Sequence, residues 1–146
     1  MAQFLFARAI VERRPIEVPN NGLHTRAFTS VEDIVVGIVR VTDRVPGPDP
    51  AWNSANLDRA SSGAPYRLYN IGSNRPIELL RYIEMLEHCS GRKAKRIMKP
   101  LQLVNVLDTF AEIDELIADI GYKPDAPIEA GLCNFLEWFK GYYGCS

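Results

Sequence analysis

Cysteine, histidine and long apolar runs are scarce in this chain, and each scarcity excludes a class of protein. The three cysteines are odd in number, lie far apart and form no Cys-x-x-Cys pair, and only His24 and His88 could join them as ligands. We therefore predict neither a disulfide scaffold nor a metal site. No apolar run approaches the roughly 20 residues of a membrane-spanning helix. Glu12, Arg13 and Arg14 also break the apolar N-terminus, so no secretory signal is predicted. We expect a cytoplasmic location and no membrane partner.

An excess of charge of either sign is missing as well. The net charge is −1 over 146 residues, with 47% apolar and 24% charged residues, which is ordinary for a globular domain. Residues 91–99 hold five cations in nine positions, but no aromatic residues alternate with them to stack on bases. We interpret this run as a solvated edge, and we predict no nucleic-acid partner.

Apolar residues at helical spacing predict five helices, which outweigh the short strands. The helices are expected at residues 2–13, from Thr29 or Ser30 onward, at 76–89, after a capping box at 109–112, and from Pro127 to the C-terminal aromatic residues. Gly91 and Gly121 lie where left-handed residues end helices.

Strands are predicted at residues 16–18, 66–71 and 96–98, and a turn with positive φ at residues 20–22. Residues 45–65 lose all periodicity and are rich in proline, glycine and serine, so we expect a long surface loop there. The predicted fold class is mixed α/β and helix-rich.

Six segments in a fixed order resemble the C-terminal part of an NAD-dependent nucleotide-sugar epimerase. They are a Pro-Ile-x-Val strand, Arg-x-Phe-Thr, Asp-Ile-Val, Tyr-x-x-Tyr-Asn-Ile-Gly, Pro-Leu-Gln and a closing aromatic helix, at residues 15–18, 26–29, 33–35, 65–72, 100–102 and 134–143. The chain is most similar to the UDP-glucuronate 4-epimerases, within the extended short-chain dehydrogenase/reductase superfamily. The resemblance implies a substrate-binding lobe that lacks the N-terminal Rossmann half, and a role in polysaccharide biosynthesis.

Two motifs that such an enzyme requires do not occur in the sequence. None of the ten glycines forms G-x-G-x-x-G or G-x-x-G-x-x-G, the turn that holds the NAD pyrophosphate at a helix N-terminus. No Tyr-x-x-x-Lys occurs either, so the tyrosine that would take the sugar hydroxyl proton has no counterpart. We predict no catalytic and no cofactor-binding residue in this chain, although NAD serves the full-length family. The chain by itself is expected to be inactive.

Met1 aligns with a methionine that lies inside the enzymes of this family. We therefore expect residues 1–146 to be a partial, C-terminal substrate-side region. A truncated gene product, a split gene and a start codon assigned too late are all compatible with this expectation.

The resemblance implies that Arg26 is the main ligand of a nucleotide diphosphate, which a planar guanidinium suits well. The alternative is that Arg26 pairs with Glu32 or Asp33 at the start of the second helix. Ala27 stands where the family has aspartate, and Ser30 where it has tyrosine. Both departures weaken the expected site.

The resemblance implies four further substrate-binding residues. The backbone at Glu17 and Pro19 corresponds to the segment along the uracil edge, although Pro19 replaces an aromatic ring and removes one N–H donor. Gln102 and Asn105 fall where the family contacts phosphate and ribose. Because Leu103-Val104-Asn105 replaces Pro-Gly-Asp, an ordinary loop amide is an equal interpretation of Asn105.

Two functions follow from the sequence. The first is a lobe that binds a UDP-sugar, with affinity weakened or lost. The second is a non-catalytic interaction protein that docks on a separately encoded cofactor-binding half. Both predict an apolar patch on the second helix and on the strand at 16–18, since the sheet they would lean on is missing. The sequence does not specify the sugar.

Overall fold

The computed structural model describes residues 2–55, 58–101 and 108–145. The chain forms two compact units. Unit 1 consists of Met1–Phe28, Arg75–Phe110 and Ala126–Ser146, and unit 2 of Thr29–Asn74 and Ala111–Asp125.

Five helices and five short strands are present in the described residues, which confirms the mixed α/β, helix-rich class. In chain order they are α1 (Ala2–Val11), β1 (Pro15–Val18), β2 (Thr25–Ala27), α2 (Val31–Thr42), β3 (Pro76–Glu78), α3 (Leu79–Ser90), β4 (Lys95–Met98), β5 (Asp108–Thr109), α4 (Asp114–Ile120) and α5 (Ile128–Tyr143).

Unit 1 contains two small sheets. Strand β1 pairs in parallel with β4, with Ile16 opposite Arg96. Strand β2 lies between β3, which is antiparallel, and β5, which is parallel. The strands predicted at residues 16–18 and 96–98 are therefore confirmed, and they pair with each other.

Helices α1, α3 and α5 bury their apolar faces in one core with β1. Its fully buried members include Ala7, Ile10, Val18, Tyr82, Ile83, Leu86 and Leu136. The ring of Phe28 stacks on Tyr82 at 4.4 Å between centroids, so the residue after β2 is anchored to α3. The closing aromatic cluster is divided, because Phe139 is buried whereas Trp138 and Tyr142 are exposed.

A buried carboxylate connects the end of α3 to β4. Glu87 is 4% exposed, and its carboxylate accepts from Lys93 Nζ at 2.9 Å, Ala94 N at 3.1 Å and Arg96 Nη2 at 2.9 Å. Burial alone would raise the pKa of Glu87, but these hydrogen bonds together lower it. Two of the five cations at residues 91–99 are therefore partners of Glu87.

A disulfide joins Cys89 on α3 to Cys133 on α5, with a Cα to Cα distance of 5.0 Å. The expectation that these cysteines stay unpaired is wrong. The two cysteines are 44 residues apart in sequence. They meet because α3 and α5 pack side by side, which the sequence does not show. Cys145 is free.

The turn predicted after β1 is confirmed. Asn20, Asn21 and Gly22 have φ of 51°, 48° and 79° within the 3₁₀ turn Pro19–Gly22. A Cβ on Gly22 would lie 2.3 Å from Leu80 Cγ, so this position requires glycine for both conformation and space.

Helix α2 of unit 2 begins after Ser30, the second of the two expected caps. Ser30 is the N-cap and accepts from Glu32 N, whereas Thr29 Oγ1 accepts from Ser73 N at 2.8 Å.

The second predicted capping box is wrong, because Thr109 lies in β5 and α4 begins at Asp114. The helix predicted from residue 76 also begins later, since Pro76–Glu78 is a strand. Gly91 and Gly121 end α3 and α4 in the left-handed conformation, as predicted.

The strand predicted at residues 66–71 is wrong. The segment makes only an isolated antiparallel pair, between Ser61 and Arg67, and Leu68 N donates to Ala60 O. Its apolar and aromatic composition favours a strand, but a strand needs a neighbouring strand. The described residues of unit 2 provide no other partner.

Helix α2 leaves most of its apolar side chains exposed. Val31, Val35, Ile38 and Val39 are between 49% and 72% exposed, and Gly37 is the buried residue of the helix. The predicted apolar patch on this helix is confirmed. Its predicted extension to β1 is wrong, since Ile16 and Val18 are 3% and 0% exposed because β4 and α1 cover them.

Candidate functional site

Two parallel strands of unit 1 end at the same edge and hold the residues after them side by side. After β1, Asn21 N donates to Lys99 O at 3.0 Å, and after β4, Lys99 N donates to Val18 O at 2.9 Å. Ligands commonly bind at the carboxyl ends of parallel strands. Two predicted substrate-binding residues lie here, since Glu17 belongs to β1 and Pro19 directly follows it.

Glu17 lies opposite Ile97 in the ladder, and its side chain is exposed. The carboxylate of Glu17 is 3.3 Å from Lys99 Nζ, an exposed ion pair of small energetic value. The side chain is thus directed toward Lys99, and its backbone is held in the parallel ladder. Pro19 follows at the start of the turn, half-buried and without an N–H donor.

His24 lies between the turn and β2, and the sequence analysis gave it no role. Its ring is 9% exposed and makes a hydrogen bond with the backbone of Pro19. Burial, followed by the charge of Arg26, lowers the pKa of His24. The His24 ring thus supports the turn through its bond to the Pro19 backbone. No pattern in the sequence indicated this, because the burial of His24 depends on tertiary packing.

Arg26 lies in the middle of β2, opposite Ile77 of β3 and Thr109 of β5. It is half-buried, and its Nη1 donates to the carbonyl of Thr25 at 2.6 Å. Thr25 Oγ1 donates to Asp108 Oδ1 at 2.6 Å, which fixes the first residue of β5 beside β2. The arginine is thus placed by two neighbouring strands.

Three of the predicted substrate-binding residues, Glu17, Pro19 and Arg26, belong to unit 1. His24 lies near Pro19 and Arg26, since its ring bonds to the Pro19 backbone and the charge of Arg26 lowers its pKa. Gln102 and Asn105 lie outside the described residues. The arrangement offers one guanidinium and a backbone edge, which suits recognition of an anionic ligand.

A cavity in unit 2 is lined by none of the predicted site residues. It measures about 820 Å³ and is wide open. Its cations face carboxylates, with Arg44 Nη2 2.8 Å from Asp119 and Arg67 Nη2 3.5 Å from Glu115. Tyr69 also donates to Asp119, and burial together with this bond raises the pKa of Tyr69. Because these charges are paired internally, we regard the cavity as a structural feature of the loop.

Within the described ranges 2–55, 58–101 and 108–145, no group of three or more histidine, cysteine, aspartate or glutamate residues is placed to hold a metal ion. The helices of the same ranges are all too short or too polar to cross a bilayer.

Comparison with known proteins gives relatives over nearly the whole chain, although no family model matches it. The chain is 40% identical to Protein CapI of Staphylococcus aureus over 143 residues, which is 98% of this chain and 43% of that protein. It is 38% identical to a probable UDP-glucuronate 4-epimerase of Rhizobium meliloti over 98% of this chain and 42% of that protein. The chain therefore spans less than half the length of these curated relatives.

Solved structures show the same fold. The UDP-glucuronic acid 4-epimerase of Bacillus cereus in complex with NAD superposes on 99% of this chain with a TM-score of 0.72 and 24% identity, using 39% of its own chain. The UDP-glucose 4-epimerase of Thermotoga maritima with UDP-glucose gives a TM-score of 0.73 at 16% identity, over 98% of this chain and 40% of its own.

The fold is that of the C-terminal part of the extended short-chain dehydrogenase/reductase epimerases. Over 98% of its length the chain is similar in sequence to a probable UDP-glucuronate 4-epimerase, of which it spans 42%, and its fold matches the C-terminal part of these enzymes. The resemblance found in the six sequence segments is confirmed.

Proposed function

We propose that this chain is a lobe that binds a UDP-sugar of the UDP-glucuronate type and has neither its own NAD site nor its own catalytic pair. The observation that carries the proposal is the position of Arg26 in the middle of β2, two residues after His24, whose ring bonds to the backbone of Pro19. In this proposal the protein acts in the cytoplasm, in the nucleotide-sugar supply for polysaccharide biosynthesis.

The geometry supports contacts to two parts of the ligand. The guanidinium of Arg26 offers fixed N–H donors for a diphosphate, and the family resemblance assigns the backbone around Glu17 to the uracil edge. The substitutions at Ala27 and Pro19 remove a carboxylate and a ring. We therefore expect binding in the micromolar range or weaker.

The helix N-termini support the absence of a dinucleotide site. A pyrophosphate binds where backbone N–H groups at a helix N-terminus meet no negative charge. Of the five described helices, α2, α4 and α5 carry carboxylates in the first turn, α3 has Glu78 as its N-cap, and α1 has no acidic residue in its first turn. Four of the five N-termini therefore disfavour a pyrophosphate, and the sequence has no glycine-rich turn.

Calorimetric titration with UDP-glucuronate tests the proposal. Wild-type protein should give a saturable heat, and Arg26→Ala should bind about tenfold to a hundredfold more weakly, since a hydrogen bond to a charged group contributes about 1.5–3 kcal/mol. Arg81→Ala is the matched control, because Arg81 is an exposed arginine of the same unit on α3. NAD should give no heat. An unchanged affinity in Arg26→Ala, or NAD binding, would contradict the proposal.

The exposed apolar face of α2 favours a second candidate, an interaction protein that docks on a separately encoded cofactor-binding half. Absence of heat at millimolar UDP-glucuronate, together with a stable complex with the purified N-terminal half of the Rhizobium meliloti relative, would support this candidate over the first.

A further inference from the structure

His24 continues the pairing of β2 with β3 by one residue. Arg26 lies opposite Ile77 in that antiparallel ladder, and Leu79 N donates to His24 O at 3.1 Å in the same register. Residues two apart on a strand face the same side of its sheet. His24 and Arg26 therefore share one face of the strand, and the histidine is the more deeply buried of the two.

One ring nitrogen of His24 makes a hydrogen bond, and the other makes none. The ring bonds to the backbone of Pro19, which has a carbonyl but no N–H, so a ring N–H donates to this carbonyl. Nδ1 is buried and has no hydrogen-bond partner among the described residues, so the donor is Nε2. This arrangement is that of the neutral Nε2–H tautomer, with the lone pair of Nδ1 enclosed in the protein.

Protonation of Nδ1 is disfavoured in this position. It would create a buried N–H donor without an acceptor, which is costly. Burial, followed by the positive charge of Arg26, lowers the pKa of His24. The bond to Pro19 and the charge of Asp108 on β5 act in the opposite direction and are the smaller effects. The folded arrangement therefore favours the neutral ring.

Other charged groups on the neighbouring elements are directed elsewhere. Glu78 of β3 lies opposite Thr25, so its side chain belongs to the other face of the sheet. The first turn of α3 and the segment beside the Pro19–Gly22 turn have their charges in ion pairs, which join Arg81 to Glu84 and Lys99 to Glu17. Among the described residues, the charges that act on the ring are thus those of Arg26 and Asp108.

We propose that His24 is a positioning residue, which in its neutral form fastens the Pro19–Gly22 turn to the strand of Arg26 and on protonation releases the turn. The neutral ring connects two parts of the candidate site, because it bonds to Pro19 and shares a strand face with Arg26. A protonated ring leaves its enclosed position, since Nδ1–H has no acceptor there among the described residues. All of these residues belong to unit 1. The consequence for a ligand, that binding weakens as the pH falls, rests on the proposed function.

Calorimetric titration with UDP-glucuronate at about pH 7.5 and about pH 5.5 tests this consequence. The ligand stays fully ionised over that range, so a change in affinity reports on the protein. Wild-type affinity should fall by about twofold to tenfold at the lower pH. Tenfold is the ratio of protonated to neutral histidine there at the ordinary pKa of 6.5, and a lowered pKa makes the effect smaller.

Two variants separate His24 from other titrating groups. His24→Gln should bind equally at both pH values, because a glutamine amide can donate to the Pro19 carbonyl but does not titrate. His88→Gln is the matched control, since His88 is the other histidine of the chain and is exposed on α3. This control should keep the wild-type pH profile.

Hydrogen exchange of the turn amides tests the release of the turn without any ligand. Asn21 N donates to Lys99 O and Leu23 N donates to Asn20 O. Both amides should lose protection in the wild type between about pH 7.5 and about pH 5.5, whereas the amides of α3 should keep theirs. His24→Gln should show no such loss.

Wild-type affinity that stays constant or rises at the lower pH would overturn the inference. The same holds for an unaltered pH profile in His24→Gln, or for turn amides whose protection does not change. Absence of heat at both pH values contradicts the proposed function instead, and the turn amides of the wild type then decide the inference by themselves.

Discussion

Opening the disulfide between Cys89 and Cys133 should destabilise unit 1 more than any single surface change. The bond closes a segment of 44 residues, and the chain-entropy model assigns about 4 kcal/mol to a loop of that length. For a chain of this size, 1 kcal/mol shifts the melting temperature by about 2–4 °C. Reduction should therefore lower the melting temperature by about 10 °C, since α3 and α5 already pack through Leu132 and Leu136.

Differential scanning calorimetry with and without reductant measures this shift, and the double variant Cys89→Ser, Cys133→Ser should reproduce the reduced state. Cys145→Ser is the control, because Cys145 is free and its loss should leave the shift intact. Thiol titration should find one reactive cysteine in the oxidised protein and three after reduction. A shift below about 2 °C in protein with one free thiol would refute the entropic reasoning. A reducing cytoplasm keeps such a pair as thiols, whereas an oxidising compartment favours the disulfide. The experiment therefore compares the two forms that these compartments favour.

Three further changes test the packing of unit 1. Glu87→Gln should cost about 2 kcal/mol, because Arg96 and Lys93 lose a charged acceptor. Since the pKa of Glu87 is lowered in the folded protein, its contribution is present above the ordinary value of 4.5 and is lost as pH falls further. Urea unfolding between pH 7 and pH 3 should therefore show a flatter profile for the variant than for wild type. Tyr82→Phe should keep or raise stability by about 1 kcal/mol in chemical denaturation, because the buried hydroxyl has no partner among the described residues. A loss of more than about 1 kcal/mol would contradict that expectation. The folded protein holds His24 with a lowered pKa, so below about pH 6.5 the unfolded chain binds a proton that the folded chain does not. Stability should fall between pH 7.5 and pH 5.5, and His24→Asn should remove this part of the slope.

The sequence determined the features that depend on neighbouring residues. Helical spacing located all five helices, and Gly91 and Gly121 end two of them with φ of 70° and 63°. Asn20 and Gly22 likewise produced the turn after β1. Such features are predictable because spacing, caps and positive φ are local properties of the chain. The ordered motifs also gave the family, which the comparisons confirmed.

Tertiary structure alone decided which distant residues meet. The partner of β1 is β4, and Thr25 is held by Asp108 across 83 positions. Neither pairing leaves a periodic signal in the sequence. Residues 66–71 show the same limit. Their composition favours a strand, but the described residues provide only one isolated pair, between Ser61 and Arg67. The burial of His24 and the pairing of Cys89 with Cys133 were missed because burial and Cα distance depend on how helices and strands pack. The sequence thus specified local conformation and the family resemblance, and packing determined which side chains of the candidate site are held in place and which surface stays open.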